Sequence, residues 1–160
     1  MSRFRRIRAL LAAALAIVPA AVWAQDAVRP SPLKSGIEFT GAEVRALQND
    51  EFANPGMLWV SRGTAVWDQP AGPEGRSCAG CHGAVSGMKA VATRYPQFDA
   101  GSGGLINLEG RIQQCRERRQ KAAPFKYESE ELLGLTTLIR MQSQGLPASV
   151  SVDGPARAHF

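Results

Sequence analysis

The sequence predicts an all-α domain, and three observations carry that expectation. Apolar positions recur at helical spacing in "NPGMLWVSRGTAVWD", where Met57, Val60, Gly63 and Trp67 share one face. A second long helix is expected in "ESEELLGLTTLIRMQSQ", capped by Ser129 and with acids in the first turn, where they oppose the helix dipole. No run of alternating apolar and polar residues is long enough to predict a strand.

Along the chain, residues 1–24 read as a cleaved export signal. Arg3, Arg5, Arg6 and Arg8 make a positive n-region, residues 9–18 an apolar h-region, and Val22-Trp23-Ala24 a cleavage site. Pro19 breaks the run short of the roughly 20 apolar residues a membrane span needs, so no membrane association is expected after cleavage. Without these four arginines the formal net charge falls from +5 to +1, with 15 basic against 14 acidic residues. A nucleic-acid role thereby loses its electrostatic support.

Residues 25–53 are expected to form an exposed leader, rich in Pro and Gly, followed by a short helix over residues 42–48 with Val44 and Leu47 on one side. From residue 54 to residue 160 one domain is predicted, opening with Asn54 as cap and Pro55 at the first helical position. That helix stops at Gln69-Pro70 and a Gly/Pro loop leads to "SCAGCHG". "GSGG" at residues 101–104 reads as a flexible turn, since no phosphate-loop lysine follows it. The last long helix is stopped by Gly145 and Pro147.

Cys78-Ala79-Gly80-Cys81-His82 fits CxxCH, the attachment signature of haem c. Two intervening residues let both sulfurs add across the two vinyl groups of one porphyrin, and the following histidine falls beneath the iron as its proximal ligand. A redox CxxC would not need His82, and no βαβ pattern surrounds it. A zinc site would want four well-spread ligands, which adjacent Cys81 and His82 do not provide. A structural disulfide remains open in an exported chain, but the full pentapeptide in a helical context favours one covalently bound haem in a cytochrome c-like domain.

A second axial ligand is then to be found among Met57, Met88, Met141, Cys115 and His159. His159 sits where the chain end should fray. Met141 lies at the edge of the last helix's apolar stripe, where core filling is the ordinary role of methionine. Leu108, Ile112 and Cys115 repeat at helical spacing, so the Cys115 sulfur should point inward. Nearby Arg116, Arg118 and Arg119 would favour the thiolate, the form that binds iron. An inert buried thiol or a disulfide to another subunit are the alternatives, and spacing alone leaves Cys115 and Met141 level. The arginine run itself reads either as solvated helix surface or as a docking patch for an acidic redox partner.

Taken in order, "NPGMLWVSRGTAVWD", "SCAGCHG", "RYPQFD", "LINLEGRIQQCRERRQ" and "YESEELLGLTTLIRMQSQGLP" resemble the SoxA family, the cytochrome c subunit of the SoxAX complex of bacterial sulfur oxidation. The resemblance implies that Cys78 and Cys81 hold the haem, that His82 is the proximal ligand and that Cys115 is the distal one. It further implies a role in electron transfer within a complex that conjugates thiosulfate to a carrier-protein cysteine. The implied partners are a SoxX-like cytochrome c subunit and a SoxYZ-like carrier protein, and the implied compartment is the periplasm. Family members continue into a second cytochrome domain that carries the catalytic haem. This chain ends at "DGPARAHF", so the expectation is a first haem domain alone, structural or electron-relaying rather than catalytic. A free-standing electron-transfer cytochrome with His82/Met141 ligation and an enzyme of the thiosulfate dehydrogenase type are the competing expectations. Arg5-Arg6 hints at twin-arginine export, whereas haem attachment after translocation fits the Sec route better.

Overall fold

A computed structural model describes residues 34–160. The predicted signal at residues 1–24, and the part of the predicted leader up to residue 33, lie outside the described residues. The chain divides into two compact units at Ala42/Glu43. In the first, a 3₁₀ turn over Gly36–Phe39 is closed at its start by Ser35 N donating to Glu38 Oε1 (3.2 Å). Its end is closed by Thr40 Oγ1 donating to the Ile37 carbonyl (2.8 Å).

The second unit contains the predicted helices. Helix α1 (Ala42–Asn49) carries Val44 and Leu47, but they are 51% and 44% exposed, so its apolar side is not packed in a core. Helix α2 spans Met57–Asp68. Regular α-helix starts two residues later than the sequence predicts, because the first turn from Asn54 is tighter: Met57 N donates to the Asn54 carbonyl (3.0 Å), while Asn54 Oδ1 accepts the Gly56 N–H (2.8 Å) at the start of that turn. Gly63, Val66 and Trp67 are its buried residues.

Helix α3 (Cys78–His82) is one short turn, capped by Ser77 Oγ, which accepts from Gly80 N at 2.9 Å. Two 3₁₀ turns, Val85–Met88 and Ala92–Arg94, lead to a hairpin. Its strands are β1 (Gln97–Asp99) and β2 (Gly104–Ile106), antiparallel with Phe98 opposite Leu105. The sequence predicted no strand here: three residues are too few for alternation to register. The predicted "GSGG" turn joins the two strands, held by Asp99 O, which accepts from Ser102 N and Gly103 N.

Helix α4 (Leu108–Cys115) is capped by Asn107 Oδ1 on Gly110 N (2.8 Å) and runs into one wider π turn, Arg116–Gln120. Helix α5 spans Glu130–Met141, with Ser129 Oγ accepting from Leu132 N (3.4 Å) as the sequence predicts. A 3₁₀ helix, Gly154–His159, follows. The expected fraying there is not observed, since Ala156 is buried and the His159 ring lies 5.9 Å from that of Phe98.

Helices α2 and α5 form the main packing. They meet at Gly63 and Gly134, where a Cβ on Gly63 would land on the Gly134 carbonyl, so glycine is what permits the approach. Around this crossing Val66, Trp67, Leu108, Leu135, Leu138 and Ile139 make one core. Each such side chain contributes roughly 1.5–3 kcal/mol on burial. No helix among the described residues is long and apolar enough to cross a membrane.

Candidate functional site

A cavity of about 1150 Å³ opens between these elements, and the predicted site residues converge on it. Cys78, Cys81 and His82 line it from α3, and Cys115 lines it from the last turn of α4. Apolar walls come from Val66 and Trp67 of α2, Leu108 and Ile112 of α4, and Leu135 and Ile139 of α5. Met88 also lines the cavity; Met57, Met141 and His159 are not among its described lining residues. Of the two residues that spacing left level, Cys115 lines this cavity with His82 and Met141 is not among its described lining residues.

The motif is braced from two sides. Trp67 Nε1 donates to the Gly83 carbonyl (3.1 Å), just past His82, and the Trp67 and His82 ring centroids are 5.9 Å apart. The helical spacing that made Trp67 a core residue also makes it the support of the histidine. On the other side Gln120, 7% exposed, donates from Nε2 to the Arg76 carbonyl (2.9 Å) and lies 4.0 Å from Cys78 Sγ. Gly72, with φ +70°, lets the Gln120 carbonyl approach so closely that a Cβ at residue 72 would occupy the oxygen's place. Sequence reading missed both Gln120 and Gly72, since a glutamine after an arginine run and a glycine in a Gly/Pro loop carry no distinguishing pattern.

No disulfide joins Cys78, Cys81 and Cys115 to one another. Among the described residues no group of three or more His, Cys, Asp or Glu is placed to hold a bare metal ion. Burial pushes the Cys78 thiol above its usual range; the nearby Cys115 and Cys81 sulfurs add to this, and Arg116 partly opposes it.

A second network was also not foreseen. Asp99, 7% exposed, accepts from Gln114 Nε2 (3.0 Å), Ser102 N (2.9 Å) and Arg111 Nη2 (3.2 Å). The Gln114 and Ser102 hydrogen bonds, more than the Arg111 charge, hold its carboxyl below the usual carboxylate range. Arg111 lines the cavity, so Asp99 fixes a guanidinium at the site's edge.

With this geometry in view, the likeness to known proteins is informative. A family model described as "SoxA/TsdA, cytochrome c domain" matches residues 62–148, more than half of the chain. The chain belongs to the SoxA/TsdA cytochrome c domain family. Within that family it is similar to the L-cysteine S-thiosulfotransferase subunit SoxA of Rhodovulum sulfidophilum, at 39% identity over 127 residues, 79% of this chain and 44% of that protein. It is also similar to the subunit of the same name from Pseudaminobacter salicylatoxidans, at 42% identity over 120 residues, 74% of this chain and 42% of that protein. The crystal structure of SoxXA from Paracoccus pantotrophus superposes with a TM-score of 0.73 at 31% identity, covering 79% of this chain and 48% of that one. The chain thus spans less than half the length of the relatives it matches. The helical cytochrome c fold expected from the sequence stands, with the small hairpin added.

A cytochrome c domain implies haem, and the residues here fit that group. The cavity exceeds the roughly 300–1,000 Å³ of ordinary small-molecule pockets. Its lining combines aliphatic and aromatic side chains with arginines, and two thiols at CxxC spacing, an imidazole and a third thiol line it too.

Proposed function

We propose that this domain is a c-type cytochrome of periplasmic thiosulfate oxidation, with one haem attached through Cys78 and Cys81 and its iron held by His82 and Cys115. The observation that carries this reading is the convergence of all four residues on one large cavity in a member of the SoxA/TsdA family. When bound, haem supplies a one-electron iron centre.

The chain's own residues then perform recognisable tasks. Trp67, bonded to the Gly83 carbonyl, keeps the His82 ring facing the cavity. Gln120 holds the Arg76 backbone and, through it, the approach to Cys78. Leu108, Ile112, Leu135 and Ile139 give the site apolar walls. His82 and Cys115 together would leave no iron position for substrate, and the anionic sulfur would favour the ferric state. The domain is therefore assigned electron relay, with conjugation chemistry elsewhere in a SoxAX-like assembly. Its proposed partners are a SoxX-like cytochrome and a SoxYZ-like carrier protein. Residues 1–24 are proposed to be removed on export, residues 25–53 to form the leader and first helix, and residues 54–160 to form the haem domain.

Mass analysis after co-expression with a cytochrome c maturation system tests attachment: the peptide holding Cys78 and Cys81 should gain the mass of haem. A peptide carrying only a disulfide would defeat the reading. A second reading, an enzyme of the thiosulfate dehydrogenase type, is favoured by the breadth of the family model, which spans SoxA and TsdA. Oxidative joining of thiosulfate by this chain alone would support it; a requirement for a partner cytochrome and carrier supports the first.

A further inference from the structure

Six arginines line the cavity, and four have partners. Arg62 pairs with Glu131 (2.6 Å), Arg76 with Glu74 (2.6 Å) and Arg111 with Asp99 (3.2 Å). Arg116 lies over the Phe125 ring, 3.8 Å from its centroid, and donates to the Ala123 carbonyl. The other two, Arg94 and Arg119, have no ion pair among the described residues, and the same holds for Arg118 and Lys121 beside Arg119; all four are exposed. From Arg116 to Lys121 the chain sets four cations against one acid, Glu117, a local net charge of +3. Outside the predicted signal the entire chain carries only +1, so most of it is balanced and this turn is not.

The turn is also rigidly presented. Gln120 is buried, Ala122 N donates to the Arg116 carbonyl (3.2 Å), and Lys121 takes a left-handed φ of +58° that ends the π turn. Gln120 lies 4.0 Å from Cys78 Sγ, so the cationic turn borders the attachment cysteines, of which Cys81 is exposed. A solvated helix face needs neither the buried anchor nor this position. We infer that the segment Arg116–Lys121 is the docking surface for an acidic electron-transfer protein, steering carboxylates on that partner to the edge where the electron crosses. This rests on the haem reading above. Like-signed charge beside a reactive edge raises the association rate of oppositely charged partners by about 10–10³ at low salt.

The test uses the reduced, haem-loaded protein and two one-electron oxidants of opposite charge, hexacyanoferrate(III) and tris(phenanthroline)cobalt(III). In each case one electron leaves the protein iron and reduces the metal complex. At low ionic strength Arg118→Glu/Arg119→Glu should slow oxidation by hexacyanoferrate about tenfold or more and speed oxidation by the cobalt complex. Both effects should collapse once salt shortens the screening length from about 30 Å to about 3 Å. Arg118→Gln/Arg119→Gln should give an intermediate, same-signed change, which guards against misfolding of the charge-reversed variant. Arg140→Glu/Arg157→Glu, with equal net charge, should change neither rate appreciably. Equal responses from the two reversed pairs, or rates insensitive to salt, would overturn the docking surface while leaving haem attachment intact. Absence of haem absorbance in the parent protein would instead remove the underlying reading, and the proposal with it.

Discussion

Gly63→Ala probes the crossing on which the cavity is built. In an open helix interior this substitution would stabilise by about 1 kcal/mol, because glycine is the poorer helix former. Here the new Cβ would land on the Gly134 carbonyl oxygen, 2.6 Å from that residue's carbonyl carbon and 2.8 Å from Leu138 Cβ. Two of these three atoms are backbone, so no rotamer change relieves the clash and α2 must move off α5. Overpacking of this kind costs typically about 1–3 kcal/mol, and a backbone obstacle places it at the upper end. Net destabilisation of about 2 kcal/mol follows, equivalent to roughly 6–10 °C in melting temperature for a domain of this size. Thermal and urea unfolding followed by far-ultraviolet circular dichroism would measure it, with Ser61→Ala on the exposed face of α2 as the control, expected within about 0.5 kcal/mol of the parent. A Gly63→Ala protein as stable as the parent would show that the two helices are not in backbone contact.

Other expectations follow from the same geometry. Trp67→Phe removes the Nε1 bond to Gly83 and leaves that carbonyl without its partner; urea unfolding should show a loss of about 1–2 kcal/mol, and a wild-type value would remove Trp67 as the motif's brace. Gly72→Ala meets both a φ of +70° and the Gln120 carbonyl, so the haem-loaded yield should fall well below that of Gly75→Ala, whose φ of +61° is strained but whose added Cβ meets open space. Asp99 has a folded-state carboxyl held below its ordinary value, so its contribution is present above the unfolded value of about 3.9 and is lost as pH falls below that through the folded value. Melting temperature against pH should therefore drop less steeply in Asp99→Asn than in the parent below about pH 4, and parallel slopes would count against the network.

The parts legible in the sequence were those set by local rules. The helical spacing of Gly63, Val66 and Trp67, the Ser129 cap and the CxxCH pentapeptide each have short-range causes, and each is found at or near its expected place. Cys115 was legible as an inward-facing position through Leu108 and Ile112, but spacing alone could not prefer it to Met141, because that choice depends on how α4 and α5 pack. Asn54 is found at the head of α2, accepting the Gly56 N–H, but the tight first turn that delays the regular helix to Met57 carries no sequence signal. The β1/β2 hairpin was hidden by its brevity. Gln120, Gly72 and the partners of Asp99 became visible only in three dimensions, as their contacts join residues far apart in the chain. That the Gly63 and Gly134 glycines face one another is likewise a tertiary fact, invisible in either helix alone.

The central proposal is that Cys115, which lines the same cavity as His82, would hold the haem iron together with it. Ferric absorption and electron paramagnetic resonance spectra of the haem-loaded parent and of Cys115→Ala measure it most directly. A low-spin thiolate signature is expected in the parent and should disappear in the variant, while covalent haem stays attached through Cys78 and Cys81. Identical spectra from the two proteins, or a methionine-to-iron band in the parent, would contradict it.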